Sequence, residues 1–380
     1  MRIGILTYWT SNDNYGQLLQ CYALQQVLRD MGHDPYLIRF IHNDKKTIGK
    51  KIIDHMSWSG IKYLFSTQRR LSKNISNINA KQNVLRHFDN FRNEYITVSE
   101  RIYYGLQELR SYPPKADIYI CGSDQVWNNS LALTNTPAWF LAFGKKQTRR
   151  VSYAASIGRE LEKKEIPVFK HFLSLFDKIS VREESTYSLC NRLGFYETKV
   201  TLDPTLLLPA KKYREITSKT NIQSKPYLFM YILNISTEEE MYWNAVKKYL
   251  HRQNLELKIV YSSGYIQAQQ LIKDYPNTLA TIPEWINYID HAQCIITTSF
   301  HGVVFCIKMH KPFLAILLTN QFSKGNDRIV SLLNSLNLSE RIYDPSHPIS
   351  SQMERDINWE NVENKLLKLQ TESYNFLKSL

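Results

Sequence analysis

Short polar clusters hold the residues in this sequence that could do chemistry. The sharpest is Ser299-Phe300-His301-Gly302, where a histidine follows an apolar run and opens what reads as a helix. An imidazole there exchanges a proton near neutral pH, while N–H groups at the helix start hold an anion beside it. The competing reading has the ring simply capping that helix. Arg182-Glu183 follows another apolar run, and its guanidinium suits a carboxylate or phosphate; the plainer alternative is an ion pair with Glu183 or Glu184. Lys324-Gly325-Asn326-Asp327-Arg328 is a basic turn after a strand, a second place to clamp such a group. Lys308 and Lys311 read as surface residues. Asp124, in Gly122-Ser123-Asp124-Gln125, is either an acid–base group or a helix N-cap. The loop Ser11-Asn12-Asp13-Asn14-Tyr15-Gly16-Gln17 and the segment Ser156–Gly158 complete the set.

Several familiar chemistries lack their residues. The first loop has neither Gly-x-Gly-x-x-Gly nor a phosphate-loop lysine, so nicotinamide and ATP sites are unsupported. No Asp-x-Asp occurs, which removes one metal-diphosphate signature. The ten histidines show no His-Glu-x-x-His, and Gly-x-Ser-x-Gly is missing too. No metal site is expected.

The clusters need positioning, and the pattern around them supplies it. Residues 2–8 are apolar and rich in β-formers, and the apolar residues from Leu18 to Leu28 keep helical spacing up to Gly32. Tyr36-Leu37-Ile38 then resumes an extended pattern. Strands are expected again at 117–121, 151–155 and 178–181, each running into one of the polar clusters, with a helix from Arg182 to Leu193. The second half restarts with a strand at 227–233, a helix at 237–252 and a strand at 257–262. A helix begins near Pro283, followed by a strand at 294–298, a helix at 303–309 and a strand at 313–318. Strands alternating with helices predict parallel α/β sheets, in which ligands bind beyond the carboxyl ends of the strands. The expected architecture is therefore two Rossmann-like domains facing a cleft. The first covers residues 1–208 with a basic insertion at about 45–95. The second covers 225–355 after a proline-bearing link at 209–225, and an amphipathic helix at 356–380 packs back on the first.

Composition narrows the partners. Hydrophobic residues make up 43% of the 380, enough for sizeable cores. Lys and Arg number 48 against 35 Asp and Glu, a net +13 that calls for anionic company. Eight basic residues and one acidic one fall between Lys45 and Lys73, more than half of that excess. Interleaved with Trp58, Tyr63 and Phe65, this stretch fits either an anionic membrane surface or a solvated helical insertion. No apolar run approaches the ~18 residues of a spanning helix, and the N-terminus turns polar at Thr10, too soon for a signal peptide. Five scattered cysteines, Cys21, Cys121, Cys190, Cys294 and Cys306, suit a reduced cytoplasmic protein in which they act as small buried hydrophobes.

Together the motifs resemble a known family. Gly4-Ile5-Leu6-Thr7 with Asn14-Tyr15-Gly16-Gln17 and Leu18–Leu24 is similar to the opening of the polysaccharide pyruvyl transferases. So are Gly122–Asn128, Ser180-Val181-Arg182-Glu183, Leu202-Asp203-Pro204-Thr205, and Ser299–Gly302 followed by Lys311-Pro312-Phe313. The resemblance implies a GT-B-like fold. It implies a reaction in which phosphoenolpyruvate gives its pyruvate to two sugar hydroxyls as a cyclic ketal, releasing phosphate. Phosphoenolpyruvate is then a substrate, and no cofactor is needed. By position, His301 matches the family's essential histidine. In the reaction it would do the acid–base work, and the carboxylate of Asp124 is a candidate partner read from this sequence. Arg182 matches the family's donor-contacting arginine, and Lys324 sits where its donor-binding lysine is expected. Arg328 would join them in holding the two anionic groups, helped by Ser299 and by N–H groups at Gly16 and Gly302. Asn14, Tyr15, Gly16, Gln17, Ser123 and Gln125 would form the acceptor side of the cleft. Some members have arginine before the histidine; Phe300 here removes one anion contact. The implied acceptor is a sugar or lipid-linked oligosaccharide of a bacterial surface polysaccharide. With it goes a peripheral place at the inner face of the plasma membrane through 45–73. A nucleotide-sugar glycosyltransferase of the same architecture is the main alternative. A nucleic-acid binder lacks any recognisable module, so no nucleic-acid partner is expected.

Overall fold

The computed structural model describes residues 1–41, 84–128, 131, 136–217, 225–262 and 271–380. The basic stretch at 45–73 therefore lies outside the described residues. In the first half, seven strands form one parallel sheet in the order β3-β2-β1-β4-β5-β6-β7. They are β1 (Arg2–Leu6), β2 (Asp34–Ile41), β3 (Val98–Tyr104), β4 (Ile118–Cys121), β5 (Arg149–Ala155), β6 (Lys178–Val181) and β7 (Lys199–Val200). A second parallel sheet runs β10-β9-β8-β11-β12, from β8 (Tyr227–Ile232), β9 (Glu256–Tyr261), β10 (Asn277–Thr278), β11 (Cys294–Thr297) and β12 (Phe313–Ala315). Helices cover both faces, which is why central strands such as β4 and β8 are buried along their whole length.

In each sheet the strand order reverses once. The reversal falls between β1 and β4 in the first and between β8 and β11 in the second. At such a switch point the following loops diverge and leave a crevice at the carboxyl edge. The polar clusters after β1, β4 and β11 thus reach the cleft for a topological reason.

One hydrophobic cluster joins the halves, from Ile3 and Leu18 through Tyr15 to Trp285 and Phe305. The helix Trp359–Lys378 lies against the first half. Tyr374 donates to the carbonyl of Leu207 at 3.0 Å, and Ser373 Oγ accepts from the N–H of Leu202 at 2.9 Å. No helix among the described residues is long and apolar enough to cross a membrane.

Local boundaries shift in three instructive places. The expected helix at 303–309 spans Phe300–Lys308, because the Ser299 hydroxyl caps it by accepting from the Gly302 N–H at 3.4 Å. His301 therefore sits inside the first turn. The expected helix at 237–252 breaks into a short 3-10 turn, Glu239–Met241, and a helix, Trp243–Gln253, at Tyr242, whose φ is 52°. The link after Pro209 includes a helix, Ala210–Thr217, held by buried Tyr213 and Ile216.

Candidate active site

The facing sheet edges enclose a cleft of about 630 Å³, lined among others by Asn14, Gln17, Asp124, His301, Lys324 and Arg328. At its base lies a buried charged cluster built from four strand ends. Arg182 follows β6, Asp124 follows β4, Asp203 follows β7 and His301 follows β11.

Asp203 is the centre of that cluster. Its carboxylate accepts from the Thr205 N–H at 3.0 Å, and the Ser123 hydroxyl oxygen stands 3.3 Å from it. Oδ2 also stands 3.3 Å from Arg182 Nη2 and 3.5 Å from His301 Nε2. Burial by itself would raise its pKa. The charges of Arg182 and His301, with the Thr205 hydrogen bond, outweigh burial and hold the carboxyl well below the usual carboxylate range. It is an anion at neutral pH.

The sequence leaves Arg182 either facing the cleft or paired with Glu183 or Glu184. It contacts Asp203 instead, and Asp124 Oδ1 at 3.6 Å. Neither contact has the geometry of a hydrogen bond. All three of its side-chain nitrogens are buried without a hydrogen-bond partner among the described residues, and so are His301 Nε2 and Arg328 Nε. Buried donors are ordinarily paired, so this concentration at one place is informative. Arg328 Nη1 reaches the same Asp124 oxygen at 3.8 Å. Burial, and then the charge of Arg182, pushes the Arg328 pKa down.

The Asp124 backbone explains its placement. Its φ is 79°, and it bridges Ala155 beside β5 rather than opening a helix. The helix-cap reading therefore fails, since Asp124 is followed by a turn. Its peptide carbonyl accepts from the N–H groups of Val126 and Ser156, which fixes the carboxylate toward the arginines.

His301 is packed with little clearance. A Cβ added to Gly16 would lie 2.0 Å from His301 Nδ1, so only glycine lets the first turn of the helix Tyr15–Asp30 pass against the ring. Gly158 plays the same part for Gln125: its φ is 64°, and a Cβ there would strike the amide at 1.8 Å. Gln125, Asn14 and Gln17 do line the cleft.

Other expected positions move away from it. Tyr15 is fully buried, stacks on Trp285 at 5.2 Å and donates to the Ala280 carbonyl at 2.6 Å. It pins the two halves together and is not an acceptor contact. Ser123 is also interior, donating to Gln20 Oε1 at 2.9 Å. Gly302 commits its N–H to the Ser299 cap, so neither offers a free group to an anion. Lys324 lines the cleft but is exposed and paired with Glu160 at 2.7 Å. Lys308, expected on the surface, is buried and donates to the Leu206 carbonyl at 3.4 Å, with burial lowering its pKa.

Sequence reasoning missed Asp203 as a site residue. Its tetrapeptide Leu202-Asp203-Pro204-Thr205 was visible, but its charged partners lie on other strands.

Two doubly wound sheets with a polar cleft between their carboxyl edges define a protein of the GT-B fold. The UDP-GlcNAc 2-epimerase of Methanocaldococcus jannaschii shares that fold, with a TM-score of 0.52 at 10% identity over 98% of this chain and 100% of that one. An alpha-glucosyltransferase in complex with UDP gives 0.46 at 10% identity, covering 98% and 95% of the two chains. The Escherichia coli heptosyltransferase WaaC with ADP gives 0.37 at 12%, covering 86% and 90%. No curated protein matches the chain. The family model for polysaccharide pyruvyl transferase matches residues 14–320, and the chain belongs to that family.

Proposed function

We propose that this protein moves pyruvate from phosphoenolpyruvate onto two hydroxyls of a sugar in a bacterial surface polysaccharide or its precursor. The observation that carries the reading is the set of buried side-chain nitrogens without hydrogen-bond partners on Arg182, Arg328 and His301. Asp124 and Asp203 stand 3.3–3.8 Å from these groups. They hold the two guanidinium charges in place and leave these nitrogens open. A small ligand with several anionic oxygens would satisfy them, and a carboxylate with a phosphate on adjacent atoms is such a ligand.

The chemistry follows from the same groups. Protonation of the donor's methylene carbon uses its C=C electron pair and leaves C2 electrophilic. One sugar hydroxyl attacks C2 and loses its proton. Phosphate departs with the electrons of its C–O bond, and the second hydroxyl closes the ketal. Two protons leave the hydroxyls; one ends on the new methyl group and one on phosphate. His301 carries the proton, and the Asp203 carboxylate beside Nε2 stabilises the imidazolium. Asp124 holds Arg182 and Arg328 toward the donor's two anionic groups.

The test is mass spectrometry of surface glycans from cells with the wild-type gene, without it, and with His301→Ala. In the last two, each substituted sugar is expected to lose the mass of its ketal-linked pyruvate. Unchanged glycans would overturn the reading.

A further inference from the structure

Phe300 occupies an unusual place between the two arginines. Its ring centroid is 5.0 Å from the Arg182 guanidinium carbon and 5.5 Å from that of Arg328. The ring is 5% exposed, lines the cleft and meets the His301 imidazole edge-on at 5.2 Å and 78°. Arg182 comes from the first domain and Arg328 from the second, so no shared element holds them together. Two guanidinium charges largely removed from bulk water repel each other. Asp124 Oδ1, at 3.6 and 3.8 Å, and this ring each reach both. An aromatic face attracts a cation through its quadrupole and takes no N–H from it. The ring therefore offsets the repulsion and leaves the donors for a ligand.

We propose that Phe300 is a positioning and specificity-determining residue that fixes Arg182 and Arg328 as a clamp for a ligand with two anionic centres. An arginine at this position would add a third repelling charge. The aromatic ring sets the spacing of the two that are present, so the clamp favours a ligand spanning both over a single anion. The inference rests on the donor assignment above, and its test separates the two.

Binding of phosphoenolpyruvate, pyrophosphate and inorganic phosphate is measured by calorimetry for wild type, Phe300→Tyr, Phe300→Trp and Phe300→Leu, with unfolding midpoints alongside. In Phe300→Leu the dissociation constants for the two larger ligands are expected to rise about 10–30-fold, because two cation–π contacts in a desolvated site are lost. Inorganic phosphate should weaken less than about threefold, since it engages one guanidinium at a time. Tyrosine and tryptophan should restore tight binding. Turnover at saturating phosphoenolpyruvate should fall far less than kcat/KM. Unchanged binding in Phe300→Leu overturns the proposal. So does a Phe300→Tyr variant that folds normally yet binds as weakly as Phe300→Leu. If wild type ignores phosphoenolpyruvate but binds pyrophosphate in a Phe300-dependent way, the clamp stands and the donor assignment falls.

Discussion

Arg182 and Lys324 are cations of the same cleft in opposite states. The Arg182 side chain is buried at the base, near two carboxylates but hydrogen-bonded to none. Lys324 lies at the rim, more than half exposed and already paired with Glu160. A buried charge with open donors gains most from a ligand, because its desolvation cost has already been met by the fold. An exposed lysine gains little, since water and Glu160 already satisfy it. The energetic weight of anion binding should therefore sit at the base.

Replacing His301 by alanine should cost most, about 10³–10⁴-fold in phosphate release, as general acid–base groups do. Phosphoenolpyruvate should still stabilise that variant in thermal unfolding, which separates chemistry from binding. Arg182→Ala leaves Asp203 and Asp124 with less compensation. It should lower stability by about 3–5 kcal/mol and abolish the phosphoenolpyruvate response. Gly16→Ala keeps every charge but forces His301 aside; about 10²-fold loss in kcat/KM is expected from such misplacement, with about 1–3 kcal/mol of stability lost to the overpacked contact.

Asp203→Asn tests the buried anion through pH. The folded-state pKa of Asp203 lies below its unfolded value. Its contribution to stability is thus fully present above the ordinary carboxylate range and is lost as pH falls toward the lowered value. Unfolding midpoints should drop more steeply for wild type than for Asp203→Asn between about pH 5 and pH 2. Parallel curves would remove Asp203 from the ionised cluster. The smallest effect belongs to the rim: Lys324→Ala and Glu160→Ala should each change KM less than about fivefold, the scale of an exposed ion pair. A larger change at Lys324 than at Arg182 would reverse the comparison.

The architecture was readable because short apolar runs ending in polar loops leave few choices in a parallel sheet. The capped helix Ile282–His291 shows the same legibility: Thr281 and Glu284 bond reciprocally at its start. β3 is hard to read because Val98–Tyr104 is an edge strand whose alternation is broken at exposed Glu100 and Arg101, where its pairing with β2 is bulged. At the site, His301, Arg182, Arg328 and Asp124 were legible by type and by position after strands. Tyr15 and Lys308 misled because polar neighbours and charge suggested the surface, while tertiary packing buries both. Asp203 gave no local sign of its role, since its partners Arg182 and His301 meet it only when β6, β7 and β11 end at the same cleft.

Calorimetric titration of wild type and Arg182→Ala with phosphoenolpyruvate, and with UDP in parallel, tests the central claim most directly. Saturable binding of phosphoenolpyruvate to wild type, its loss in Arg182→Ala and no response to UDP is the expected result. Tight binding of UDP with none of phosphoenolpyruvate would contradict the account.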